Sequence, residues 1–244
     1  MSKTKLYILF QGFGQNISEW NDKPTQFVTQ LKKKGLVYIH QNKWLEQHID
    51  YEMDYLTMDG FMKDVLEKLT KAVPNFIKYS LIPIGFSFGG NFAMAFSKIM
   101  KKYCGYCVLL DSPVYFTRAC NLNRQKGTEK MMGHKFKKLK EADFIQLRNK
   151  KSSYLLDYGV ISFGKWINKN IVGEQLPIKT IGFYTIYSPD LYSKEFDIYE
   201  SADHFKEINI LQKKNKNYTT FFYVNAGHMV YLNKEFCKII LNNI

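Results

Sequence analysis

Long apolar runs are missing from this sequence. Stretches such as Cys107-Val108-Leu109-Leu110 stop far short of the roughly 18 consecutive apolar residues that a membrane-spanning helix demands, so no such helix is expected. The start, Met1-Ser2-Lys3-Thr4-Lys5 before Leu6-Tyr7-Ile8-Leu9-Phe10, is basic, but its apolar stretch is too short for a secretory signal and no small-residue cleavage site follows. Cysteine is scarce: four in 244 residues do not make a disulfide scaffold and agree with a reducing compartment, so the cytoplasm is the expected location. Cys104-Gly105-Tyr106-Cys107 has the spacing of a redox pair, yet a redox cysteine needs a helix N-terminus to lower its pKa, and this segment runs into a strand-like one. With no second such pair, a structural zinc site is not expected either. Acidic residues are also short: 22 Asp plus Glu against 35 Lys plus Arg leave +13, which favours an anionic partner. No zinc finger or RNP motif accompanies that charge, so nucleic acid is not the expected one.

What is present is the composition of a compact protein, 45% hydrophobic and 16% aromatic, in a chain long enough for one large domain. Apolar runs of strand length recur at Leu6–Phe10, Leu36–His40, Ser80–Ile84, Tyr106–Leu110, Thr180–Tyr187 and Thr219–Val224. Helical spacing lies between and after them, at Thr25–Lys33, Phe61–Ala72, Phe92–Lys101, Ala202–Lys213 and Val230–Leu241. Strands alternating with crossover helices predict an α/β protein: three layers, α/β/α, around a mostly parallel six-stranded sheet. Pro83 is the misfit, because it removes a ladder donor from an interior strand; a local irregularity is expected there. The stretch from Phe116 to about Gly173 breaks the alternation and reads as helical, with Met131, Phe136, Leu139, Phe144 and Leu147 as its apolar positions. The chain thus divides into a core, 1–116 and 177–244, and a basic helical insertion, 117–176. Its Arg118, Arg124, Lys126, Lys130, Lys135, Lys137, Lys138, Lys140, Arg148, Lys150 and Lys151 read first as a solvated face and second as a dock for an anionic partner.

Chemistry concentrates where the third strand meets the third helix. Gly85-Phe86-Ser87-Phe88-Gly89-Gly90 is a G-x-S-x-G pattern between a strand and a helical segment, the context in which a serine is lifted clear of the sheet on a sharp turn. The following helix offers backbone N–H groups and a positive dipole end to a developing oxyanion.

On these residues the sequence resembles the α/β-hydrolase fold family, and the resemblance can be followed along nearly the whole chain. Tyr7-Ile8-Leu9-Phe10 leads into Gln11-Gly12-Phe13-Gly14-Gln15-Asn16, which is similar to the family's loop after an early strand, with Gln11 in place of the usual His. By that match the oxyanion hole would be formed by the backbone N–H groups of Phe13 and Phe88. Family members usually begin with two further strands, and only five residues precede Leu6, so the match implies a trimmed core, with the insertion as its lid.

A serine nucleophile needs a base. Phe221-Phe222-Tyr223-Val224-Asn225-Ala226-Gly227-His228 resembles the family's base loop and makes His228 that base; His134 and His204 read as structural, and His40 and His48 lie upstream of the serine. The third member orients the imidazole and stabilises its charged form. Asp190, after Tyr184-Thr185-Ile186-Tyr187-Ser188-Pro189, occupies the usual place; Asp111, ending the strand after the nucleophile helix, is the alternative acid, and Asp197 and Asp203 are weaker candidates. The resemblance implies a serine hydrolase for a carboxylic ester or thioester. The alternative is a non-catalytic protein of this fold that binds an acidic partner through the basic insertion. No metal or organic cofactor is implied.

Overall fold

The computed structural model describes residues 3–12, 15–41, 56–112, 152–172, 176–186 and 201–244, together with 126, 129–130, 135, 140, 142 and 145; side chains are described within these ranges except at 152–157, 172 and 201–207. Six strands, β1 (Lys5–Phe10), β2 (Leu36–His40), β3 (Ser80–Phe86), β4 (Cys107–Leu110), β5 (Thr180–Ile186) and β6 (Tyr218–Val224), form one sheet in the order β2-β1-β3-β4-β5-β6. Every pairing in it is parallel. A parallel strand must be joined to the next by a crossover, and the helices supply it: α1 (Phe27–Lys32), α2 (Met58–Ala72), α3 (Gly89–Ile99), α4 (Ser152–Ile167) and α5 (Ser201–Lys214), with α6 (Lys234–Asn243) after the last strand.

Successive residues of a strand face opposite ways, and both faces are apolar because both are covered. Leu6, Ile8 and Phe10, with Cys107 and Leu109, join the core under α2, α3, α4 and α5. Tyr7 and Leu9, with Ile82, Ile84, Val108 and Leu110, join the core under α1 and α6, where Trp20 and Tyr231 also lie. Three layers result. Helix starts are set by short polar side chains as much as by periodicity: Thr57 accepts from the N–H of Gly60 to open α2, and Asn233 accepts from that of Phe236 to open α6.

The irregularity at Pro83 is real and has a simple cause. Leu81 donates to the carbonyl of Tyr103 and Ser87 to that of Leu110, so odd-numbered donors of β3 face β4 and Pro83 would be one of them. Between the bridge Leu81↔Cys104 and the register pair Ile84↔Val108, β3 advances three residues and its neighbour four. The missing donor therefore meets a bulged partner. Cys104 and Cys107 flank that bulge, and burial pushes both thiols up to about 12, the opposite of a reactive redox pair.

Tyr158, Val160, Phe163, Ile167 and Ile171, within the expected insertion, join the main core. Phe163 of α4 packs edge-on against Phe92 of α3, with ring centroids 5.3 Å apart, and α4 is the crossover from β4 to β5. Among the described residues no helix is long and apolar enough to cross a membrane.

Candidate active site

Ser87, Asp111 and His228 follow the carboxyl ends of β3, β4 and β6. β3 ends at Phe86, and Ser87 follows with φ 49°, a left-handed conformation that a non-glycine residue adopts at a cost. Two flanking glycines make that turn possible. A Cβ on Gly85 would lie 2.3 Å from the carbonyl oxygen of Gly89, and one on Gly89 would lie 2.2 Å from that of Phe10, so strand, turn and helix can approach only with hydrogen at both positions. Phe88 then caps α3, whose first turn carries no acidic residue to oppose the dipole. The Ser112 hydroxyl donates to the Gly85 carbonyl at 3.0 Å and ties the turn to the end of β4.

Asp111 and His228 meet. Asp111 leaves β4 with φ 46°, and its Oδ2 lies 2.6 Å from His228 Nδ1. A carboxylate can only accept, so Nδ1–H donates to it. The other carboxylate oxygen, Oδ1, accepts from the backbone N–H of Thr185 at 3.2 Å, which fixes the acid's orientation from β5. The loop bearing His228 is fastened to the same strand: Asn225 N–H donates to the Ile186 carbonyl at 2.7 Å, and Ala226 N–H to the Thr185 hydroxyl at 3.1 Å. Phe86, the residue before Ser87, places its ring 4.8 Å from the imidazole, so the serine turn and the histidine loop are neighbours. Ser87 and Asp111 are buried, while His228 is partly exposed.

The loop after β1 abuts this group. A Cβ on Gly12 would meet the Phe86 ring at 2.7 Å and the Cβ of Ser87 at 3.0 Å. Gln11, in the position expected of a His, donates from Nε2 to the Gln15 carbonyl at 2.7 Å, and Gln15 Oε1 accepts from the Gly12 N–H at 2.9 Å. Gln15 Nε2 in turn donates to the Tyr231 hydroxyl at 2.6 Å, joining the loop to the segment that follows His228. Gln15, Tyr231, Thr185 and Ser112 carry no sequence signal of their own, because their partners lie up to 216 residues away.

Phe13, Gly14, Asp190, Asp197, His48 and His134 lie outside the described residues, as do the side chains of Asp203 and His204. His40 is described, and it is far from a catalytic environment: it is fully buried at the end of β2 between Phe10 and Phe61. Among the described residues no group of three or more His, Cys, Asp or Glu could hold a metal ion.

No protein-family model and no curated protein matches the chain. Solved structures do. The monoacylglycerol lipase of Paleococcus ferrophilus superposes with a TM-score of 0.62 at 11% identity, over 99% of this chain and 95% of that one. A structure from a study of the carboxylesterases of Nitrososphaera gargenis gives a TM-score of 0.60 at 14% identity, over 98% and 89%. A peroxisomal alpha-beta-hydrolase of Saccharomyces cerevisiae gives 0.54 at 14% identity, over 99% and 74%. Superposition over nearly the full length, on a six-stranded parallel sheet with helices on both faces, establishes that this chain has the α/β-hydrolase fold.

Proposed function

We propose that the protein is a serine hydrolase that cleaves a carboxylic ester or thioester through an acyl-enzyme on Ser87. The observation that carries this reading is the 2.6 Å contact between Asp111 Oδ2 and His228 Nδ1, made beside a strained serine on a strand-to-helix turn. In this reading His228 Nε2 takes the proton of the Ser87 hydroxyl as Oγ attacks the carbonyl carbon, and Asp111 stabilises the imidazolium. The proton then passes to the leaving alcohol or thiol as its bond to the acyl carbon breaks. Water, deprotonated by the same nitrogen, attacks the acyl carbon; the bond to Ser87 Oγ breaks, the proton returns to Oγ and the acid leaves. The backbone N–H groups of Phe88, at the cap of α3, and of Phe13 are the oxyanion donors. We assign the acid to Asp111, which is supported by its 2.6 Å contact with His228 Nδ1. The lid role falls to residues 117–151, since α4 is part of the core.

The test is covalent labelling by a fluorophosphonate together with turnover of a short activated ester. Ser87→Ala is expected to abolish labelling and lower kcat by roughly 10⁴-fold or more. Asp111→Asn, which leaves the shape of the site but favours the wrong imidazole tautomer, should lower kcat by about 10⁴-fold. Full activity in Asp111→Asn with loss in Asp190→Asn would move the acid to Asp190, and full activity in Ser87→Ala would reject the serine mechanism.

A further inference from the structure

A cavity lies away from the Ser87, Asp111 and His228 group, none of which lines it. It has a volume of about 560 Å³, within the range of small-molecule sites, and opens between the end of α1 and α6. Lys33, Lys34, Lys234 and Lys238 line it and no Asp or Glu does. Two of these cations are engaged: Lys34 donates to the carbonyls of Leu241 and Ile244, and Lys238 pairs with the exposed Glu235 at 3.0 Å. Lys33 and Lys234 form no ion pair among the described residues. Thr25 lines the same cavity, and its buried hydroxyl has no hydrogen-bond partner among the described residues apart from a weak contact with the Cys237 thiol. Burial pushes that thiol up to about 11, so it adds no negative charge to the cavity at neutral pH.

A concave site lined by several like charges with no counter-charge on its walls suits an anion. We propose that this groove binds a phosphate-bearing ligand, a monoester or pyrophosphate, with Lys33 and Lys234 as point charges on the phosphate oxygens and the Thr25 hydroxyl donating to one of them. Pro24 and Leu241 give the groove apolar wall for the carbon part of such a ligand. The phosphate could belong to a soluble metabolite or to a lipid headgroup, and the chemistry recognised is the same.

Calorimetric titration with inorganic pyrophosphate at constant ionic strength tests it. Saturable one-to-one binding is expected, weakened at least tenfold in Lys33→Glu/Lys234→Glu and several-fold in Thr25→Val, a change that leaves the charge untouched. Lys101→Glu/Lys102→Glu, an exposed pair after α3 on the other side of the sheet, should bind as the unaltered protein does. Because Lys33 and Lys234 are exposed, the first variant should keep the thermal unfolding midpoint of the parent, which is measured alongside. Absence of saturable binding, or equal weakening by the Lys101/Lys102 pair, overturns the proposal. Soluble inositol trisphosphate and phosphatidylcholine vesicles carrying phosphatidylinositol bisphosphate separate the sources: vesicle binding tighter than headgroup binding supports a lipid ligand, and equal binding supports a soluble one.

Discussion

Two histidines at strand ends show how environment sets the role of one residue type. His228 has a carboxylate at hydrogen-bond distance and access to solvent. His40 has neither: its Nε2 lies 3.6 Å from Asp64 Oδ2, too far for a hydrogen bond, while Nδ1 meets the Tyr38 hydroxyl at 3.3 Å. Burial lowers the His40 pKa from 6.5 to about 4, with Asp64 raising it in part and Lys68 lowering it. Between those two pH values the unfolded chain binds a proton that the folded one refuses, so this contribution is complete above pH 6.5 and is lost as pH falls toward 4. It is worth about 3 kcal/mol by the size of the shift. Urea denaturation across that window should show the loss, and His40→Gln should flatten it; an unchanged slope in the variant would place the acid sensitivity elsewhere. The candidate site was legible in the sequence where chemistry depends on neighbours in the chain. Ser87 announces itself through Gly85 and Gly89, and His228 through the strand before it. The acid does not, because Asp111 and Asp190 both follow apolar strand-like runs, and the contact of Asp111 with His228 joins positions 117 residues apart. Gln15 and Tyr231 were invisible for the same reason.

Elements were legible where one local rule acts and misread where two compete. β4 is a continuous apolar run because both its faces are buried, and Cys107–Leu110 could be found from that alone. The last helix was expected over Val230–Leu241 on periodicity, but Val230–Leu232 forms a 3₁₀ turn and α6 begins only at Lys234, because the Asn233 side chain caps a new start. Likewise α3 starts at Gly89 and not Phe92, since the serine turn feeds directly into the helix. α4 lies inside the segment read as an insertion. Its Phe163 is fully buried and packs near the rings of Phe61, Phe88 and Phe92, so α4 supports α3 behind the Ser87 turn. Phe163→Ala should therefore cost about 3–5 kcal/mol, as a large-to-small change in a closed core does. A loss below about 1 kcal/mol in a denaturant titration, the range of exposed-site changes, would return α4 to the lid.

At the scale of the whole molecule, the two cores share one sheet, and the dominant electrostatic feature is the excess of 35 basic over 22 acidic residues. Two effects of opposite sign follow when salt is added. Screening weakens exposed ion pairs such as Lys238–Glu235, which destabilises the fold slightly, since such pairs contribute roughly 0–1 kcal/mol each. Screening also relieves the mutual repulsion of +13 net charges, which is stronger in the compact state than in the expanded unfolded chain. The repulsion acts among all the charges at once and over separations near the Debye length, about 10 Å at 0.1 M, while the pairs are local. The second effect should win, so Tm is expected to rise as sodium chloride increases from about 10 to about 150 mM, through the range in which the Debye length shortens to molecular spacing. Chloride is the appropriate anion for this measurement, because phosphate would add specific binding at the Lys33 and Lys234 groove to the general screening. A Tm that falls over the same range would mean that local pairs, and not net charge, govern how this protein responds to its ionic surroundings.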